Sequence, residues 1–298
     1  MPDIQDAYPT AIFNRIDLDC LDEWVQYKGH KLLAIPFENE ACSLEKHDTI
    51  RMKIFAATAE ITQSCEVSVA APIPSKEANN TKSTPTAFLV YNLTLAEHDI
   101  LIACKVWSSL AITFRITPLD PPCLNFIFTI KGFTEYANES VQDMVEKAWL
   151  NNDLTNGTTD IINDIPENDR TATISAIHSF LRLVWIERLD TKDSSDSANP
   201  RYNVYANGHL IRNDDLWMKL RRFLASRSYL LYLQGKGVTE IAPYTCRICH
   251  SIDHPRGLCP FPKIEGWNGP LSRLSQKARR IIWSQNRVPH ARIEFPPP

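Results

Sequence analysis

Apolar residues in this chain fall into short periodic segments separated by polar breaks, and the periods predict the elements. Leu18, Leu21, Trp24 and Val25 recur at helical spacing, as do Ile50, Ile54, Phe55 and Ile61, and residues 65–73 then read as a short strand. Residues 74–86 have no apolar period and read as a linker. Residues 86–93 are an apolar strand, and Thr94 with Glu97 three positions on is a capping box that opens a helix. That helix is expected to turn Leu95, Ile102 and Val106 inward. Residues 111–117 and 124–131 predict two more strands and residues 140–150 a second helix, with a fourth strand expected within 177–189. The order β-α-β-β-α suits an α+β sandwich of the split-βαβ kind.

A second polar break, residues 190–200, precedes a smaller α/β region. There, residues 202–206 predict a strand, Asn207 and Gly208 a turn, and Asn213 a cap. The capped helix has Asp214 and Asp215 in its first turn and Arg227 at its end, as the helix dipole favours. Leu216, Leu220, Phe223 and Leu224 would line its inner face, with Lys219, Arg221 and Arg222 projecting elsewhere. Residues 229–233 predict a strand closed by Gly235 and Gly237. No internal repeat is visible. The expected organisation is an N-terminal helix and strand segment (1–73), an acidic α+β domain (86–189), a small β-α-β region (201–240), a cysteine-rich segment (244–262) and a basic amphipathic helix (270–285).

Split-βαβ sheets can bind RNA by showing aromatics on an open face. Ile112, Phe114 and Ile116 share one face of their strand, and Phe126 and Phe128 one face of theirs, but the basic-Gly-aromatic fingerprint of an RNA-recognition motif is absent. These rings read as core.

Composition sharpens the picture. With 44% hydrophobic and 22% charged residues in 298, the chain is globular in composition. No apolar run approaches the roughly 18–20 residues of a membrane span, and the first residues lack the basic start and apolar core of a signal peptide. An intracellular protein, nuclear or cytoplasmic, is expected, in which the sequons at Asn79, Asn92, Asn138 and Asn156 carry no glycan. The net charge of −3 conceals a split. Residues 1–200 hold 16 Lys and Arg against 29 Asp and Glu, whereas residues 201–298 hold 16 against 6, a balance of +10. Such segregation fits a polyanion-binding end or an internal acid–base contact.

Of eight cysteines, Cys20, Cys42, Cys65, Cys104 and Cys123 are scattered and read as reduced. Cys246, Cys249 and Cys259 cluster with His254 in the spacing Cys-x2-Cys-x4-His-x4-Cys. Three thiolates and one imidazole form a closed tetrahedral set for one structural Zn2+. A segment this short buries no core of its own, so the metal supplies its folding free energy. His250, beside Cys249, competes with His254 as the fourth ligand, and the spacing prefers His254.

This cluster resembles the CCHC zinc knuckle of retroviral and retrotransposon Gag-type nucleocapsid proteins. The stretches YNVYANG, TCRICHSIDHPRGLCPFP and GWNGP, with PTAFLVYNLTLAEHDILIACKVWSS upstream, resemble Gag-like zinc-knuckle proteins of mushroom-forming fungi. The resemblance implies zinc at Cys246, Cys249, His254 and Cys259 and binding of single-stranded nucleic acid, RNA more than DNA. Such knuckles usually carry an aromatic after the first Cys and Gly before the His, where this chain has Arg247 and Asp253. Base stacking would then pass to Ile248, Phe261 or Trp267, with Arg247 and Arg256 touching the backbone. Beyond the knuckle, Arg273, Lys277 and Arg280 form a basic stripe beside the apolar stripe Leu271, Leu274, Ala278, Ile281 and Ile282. The acidic half is expected to pack or self-associate. The alternative is a protein-interaction module whose basic half docks an acidic protein surface, such as the chain's own first half. No phosphate-cradling loop, Gly-x-Ser-x-Gly or His-Glu-x-x-His occurs, and His178 and Glu187 read as half-buried polar residues. A non-enzyme with no small-molecule substrate is expected.

Overall fold

A computed structural model describes residues 1–37, 44–76, 85–121, 123–133, 137–150, 167–208, 211, 214–233 and 235–270. The basic helix expected at 270–285, with Arg273, Lys277 and Arg280, and the cap at Asn213 lie outside the described residues.

Two antiparallel five-stranded sheets follow one another along the chain. The first comprises β1 (His30–Pro36), β2 (Ser68–Ala70), β3 (Phe88–Leu93), β4 (Val106–Ser108) and β5 (Thr113–Pro118), in the spatial order β2-β3-β1-β5-β4. The second comprises β6 (Phe126–Lys131), β7 (Val184–Leu189), β8 (Arg201–Ala206), β9 (Tyr229–Leu231) and β10 (Gly235–Glu240), in the order β7-β8-β6-β10-β9. Numbered from its own first strand, each sheet reads 2-3-1-5-4, with every pairing antiparallel. Helices occupy matching places. In the first lobe α2 (Leu44–Thr62) follows the first strand and α3 (Leu95–Cys104) the third. In the second lobe α4 (Asn138–Trp149) and α5 (Glu167–Arg182) follow the first strand, and α6 (Asp214–Ala225) the third. Each lobe is thus a split βαβ unit with an added hairpin strand.

The structure therefore contains a repeat that the sequence does not display, and strand pairing crosses the expected segment boundaries. β1 and β2, in residues 1–73, pair with β3 and β5, so the break at 74–86 lies inside the first sheet. The β-α-β-β-α order read from residue 86 onward joins the end of one lobe to the start of the next. Within 177–189 the chain finishes α5 before entering β7.

Local signals explain several elements. Thr94 and Glu97 form the capping box, with Thr94 N donating to Glu97 Oε2 at 2.7 Å and Glu97 N to Thr94 Oγ1 at 3.3 Å. Such a cap contributes about 1 kcal/mol. The helix it opens buries Leu101 rather than Leu95, and Val106 belongs to β4. In β6, a register shift between Phe126 and Phe128 separates two rings that simple alternation puts together. Phe128 joins the helix-side core with Trp149, Phe180, Trp217 and Tyr229, while Phe126 faces the opposite side with Tyr205.

Both sheets are covered on both faces. The first packs α2 and α3 on one side, and on the other a 3-10 turn (Pro9–Phe13) and α1 (Leu18–Gln26), which bring Ile12, Ile16, Cys20 and Trp24 onto Leu33, Ile35 and Leu89. The second packs α4, α5 and α6 on one side. Its other side receives the N-terminal residues and the cysteine-rich segment. Among the described residues no helix is long and apolar enough to cross a membrane.

Arg221 departs from the sequence expectation, being 1% exposed. Its guanidinium donates to the carbonyls of Ile127, Ala7 and Ile241 and lies 5.3 Å from the Phe126 ring. Burial pushes its pKa down to about 9, so it stays charged at neutral pH. A lysine ammonium lacks the planar fork that reaches three carbonyls. Arg221→Lys should cost about 2–4 kcal/mol, read as a lower urea midpoint at unchanged m-value.

His47, in the first turns of α2, is 4% exposed, packs on Phe88, and has no hydrogen-bond partner at either ring nitrogen among the described residues. Burial lowers its pKa from the usual 6.5, against a smaller opposing pull from Asp48. Its folded state prefers the neutral ring, so this contribution is present above pH 6.5 and is lost as pH falls below it. His47→Leu should flatten stability between pH 6.5 and 5, where the parent loses at most about 1.4 kcal/mol per pH unit. Urea titrations at several pH values measure the difference.

Candidate metal centre

The four residues singled out by spacing converge. The ligand atoms of Cys246, Cys249, His254 and Cys259 all lie within 4.8 Å of one another, and all four residues are buried. Cys249 Sγ and Cys259 Sγ are 3.8 Å apart, and Cys249 Sγ is 3.3 Å from His254 Nε2. A zinc tetrahedron with bonds of about 2.3 Å to sulfur and 2.0 Å to nitrogen has edges of about 3.5–3.8 Å. The donor set and its spacing therefore fit one Zn2+ with no open position.

Local backbone geometry delivers these ligands. Cys246 N donates to Ser251 O and His250 N to Cys246 O, each at 2.8 Å, which curls the Cys-x2-Cys turn. His250 takes the left-handed conformation, φ 66°, that turns the chain after Cys249. A 3-10 turn, Arg256–Leu258, then carries Cys259 round to the other three. His250 is not a competing ligand: its Nε2 lies 3.1 Å from the Phe37 carbonyl, to which the neutral ring donates. Burial lowers its pKa and favours that neutral form.

Packed together, the thiols polarise one another. Hydrogen bonds from Cys249 and Cys259 pull the Cys246 pKa down, while those with Cys246 and Cys259 push Cys249 up. Burial is the largest influence on His254 and opposes its charge, but hydrogen bonds to Asp253, Cys246 and Cys259 together outweigh it and raise the ring to about 11. Metal binding displaces these protons.

The segment is a wedge between the lobes rather than a free module. Towards the first lobe, Cys246, Ile248, Cys249, Cys259, Phe261 and Trp267 pack with Phe37 and Val106. Towards the second, Ile252 packs on Phe126 and Tyr205, and Asp253 takes a 2.9 Å hydrogen bond from Tyr205 Oη. The N-terminal residues thread the same seam. Gln5 N donates to Ser251 Oγ at 2.8 Å, Ile252 N to Gln5 O at 2.9 Å, and Phe126 N to Gln5 Oε1 at 3.1 Å. Asp6 accepts both bonds of a bidentate pair from Arg115 Nη2, at 2.7 and 2.9 Å.

This placement changes the reading of the expected base-stacking residues. Phe261 is 0% and Trp267 3% exposed, and their rings lie 5.1 and 5.3 Å from Phe37 in an edge-to-face cluster, so neither offers a face to a base. Ile248 is buried too. Their apolar character serves the wedge, which is why they sit so near the metal ligands. Arg247 is exposed and Arg256 half-buried.

Gln5, Asn203 and Tyr205 escaped the sequence reading because they lie far along the chain from the cluster they support. Trp185 escaped as well. It stacks on Tyr205 at 5.5 Å and 10°, and keeps 36% of its surface exposed at the rim of the second sheet. Beside it, burial and then the Asp253 charge push the Glu187 pKa up. Neither a protein-family model nor a curated protein matches this chain.

Removal of the metal by a strong chelator should loosen both lobes at once. Amide exchange is expected to accelerate at 30–37 in the first sheet, at 126–131 in the second and at 3–7, with one cooperative loss of melting temperature. Exchange confined to 244–262 would show that the wedge is not shared.

Proposed function

We propose that this chain is a non-catalytic, zinc-organised protein that binds single-stranded nucleic acid, RNA in preference to DNA, with the metal serving architecture rather than contact. The observation that carries this reading is the burial of a complete Cys3His set in a wedge touching both lobes. Zinc would staple two split-βαβ units into one body, and its closed coordination leaves no site for a reacting group.

The nucleic-acid part rests on charge. Residues 201–298 carry +10, and Arg273, Lys277 and Arg280 recur at i, i+4 and i+7 in the sequence of that region. Arg247 adds an exposed cation on the wedge itself. Affinity would come from phosphate contacts and be strongly salt-dependent. The sheet faces that split-βαβ proteins use for RNA are covered, except where Trp185 keeps an indole face at the rim. A Gag-like origin accords with the resemblance of the knuckle.

The buried rings of Phe261 and Trp267 favour a second reading, in which the wedge holds a protein-docking surface and the basic end meets an acidic partner.

Titration of the full zinc-loaded chain with a labelled single-stranded RNA at 50–300 mM salt separates the two. Nucleic-acid binding predicts a linear fall of log K with log salt, with a slope of about −0.7 per neutralised phosphate. Replacing Arg273, Lys277 and Arg280 by Glu should flatten that slope by about 2 and weaken binding at least tenfold. Absence of binding at 50 mM salt would put protein docking first.

A further inference from the structure

We propose that Asp253 is a positioning residue of the zinc centre: it holds His254 so that Nε2 faces the three sulfurs, and it makes the grip on the metal depend on the second sheet. The inference rests on the zinc reading above and goes beyond it to a residue that binds no metal.

Asp253 Oδ1 lies 2.6 Å from His254 Nδ1 and accepts from Ser251 Oγ, also at 2.6 Å. Its other oxygen accepts from Tyr205 Oη at 2.9 Å, and its backbone carbonyl accepts from Asn203 Nδ2 at 2.7 Å. Its two carboxylate oxygens thus meet the Ser251 and Tyr205 hydroxyls and the His254 ring nitrogen. With Nδ1–H engaged, the lone pair of His254 is left on Nε2, the atom that faces Cys249 at 3.3 Å. A histidine ligand whose second nitrogen is held by a carboxylate is fixed in tautomer and orientation and is a better donor.

The anchor behind the carboxylate lies in the sheet. Asn203 and Tyr205 sit on β8, and Asn203 Oδ1 takes a 2.6 Å bond from Thr129 Oγ1 on β6. Thr129 and Asn203 are 0% exposed and Tyr205 is 5% exposed, so the relay runs through the interior. The carboxylate thus supplies a mechanical link from the ligand cluster to two strands of the second lobe.

The test uses the full chain, with Asp253→Asn and Tyr205→Phe. Zinc affinity is measured by competition with a chromogenic chelator, and ligand geometry by the absorption of the Co2+-substituted protein. Asp253→Asn should weaken zinc about 10–100-fold and shift the cobalt bands. Tyr205→Phe keeps its ring against Trp185 and Phe126, so it should fold; a several-fold weakening is expected. Zinc affinity within twofold of the parent in Tyr205→Phe, or unchanged cobalt bands in a folded Asp253→Asn, would overturn the role. A parent chain that takes up no zinc would instead overturn the zinc reading itself.

Discussion

One constraint governs this architecture: a short segment with too little apolar surface to fold alone is seated where two lobes meet. The four buried donors Cys246, Cys249, His254 and Cys259 offer a local solution, because a cation held by them would replace a core that about twenty residues cannot build. Once closed, the segment presents ordered surfaces in two directions. Phe261 and Trp267 fill the cleft beneath Phe37, and Ile252 and Asp253 dock on Phe126 and Tyr205. The position of one lobe against the other therefore rests on a segment whose candidate metal ligands come from neither lobe.

Polar contacts make the seam specific. Apolar packing tolerates sliding, whereas the bonds of Gln5 to Ser251, Ile252 and Phe126 each have one geometry. Arg221 ties the N-terminal residues of the seam to β6 and to Ile241, the residue that leads from β10 toward the cysteine-rich segment. A buried guanidinium is expensive to desolvate, and here each of its three nitrogens donates to a main-chain carbonyl. The arrangement suits a fixed relation between lobes better than a hinged one.

Much of this was written locally in the chain. The Thr94–Glu97 cap, the α2 helix and the convergence of the Cys-x2-Cys-x4-His-x4-Cys residues each place their determinants within a few residues, and each formed as expected. The α1 helix formed too, but it buries Cys20 and Trp24 and leaves Leu18 and Val25 exposed. What escaped was non-local. The repeated strand order left no trace because packing demands only apolar residues at matching places, and Leu32 and Phe128 satisfy that equally well. Phe126 and Phe128 were paired by alternation, which a bulge breaks without a sequence signal. Phe261 and Trp267 looked like stacking rings because ring chemistry is the same whether it meets a base or a neighbouring phenylalanine. Arg221 looked like surface because its partners are main-chain carbonyls, which any sequence supplies.

The hydrogen bond from Gln5 to Ser251 spans 246 positions of the chain. Gln5 is made before its partners on the wedge, which follow only after both sheets. Each lobe has its own local contacts and can condense in turn, as successive domains do. Asp6 can meet Arg115 and Gln5 can meet Phe126 while synthesis continues. Closure of the seam at Ser251 comes after both sheets, however early Gln5 is synthesised.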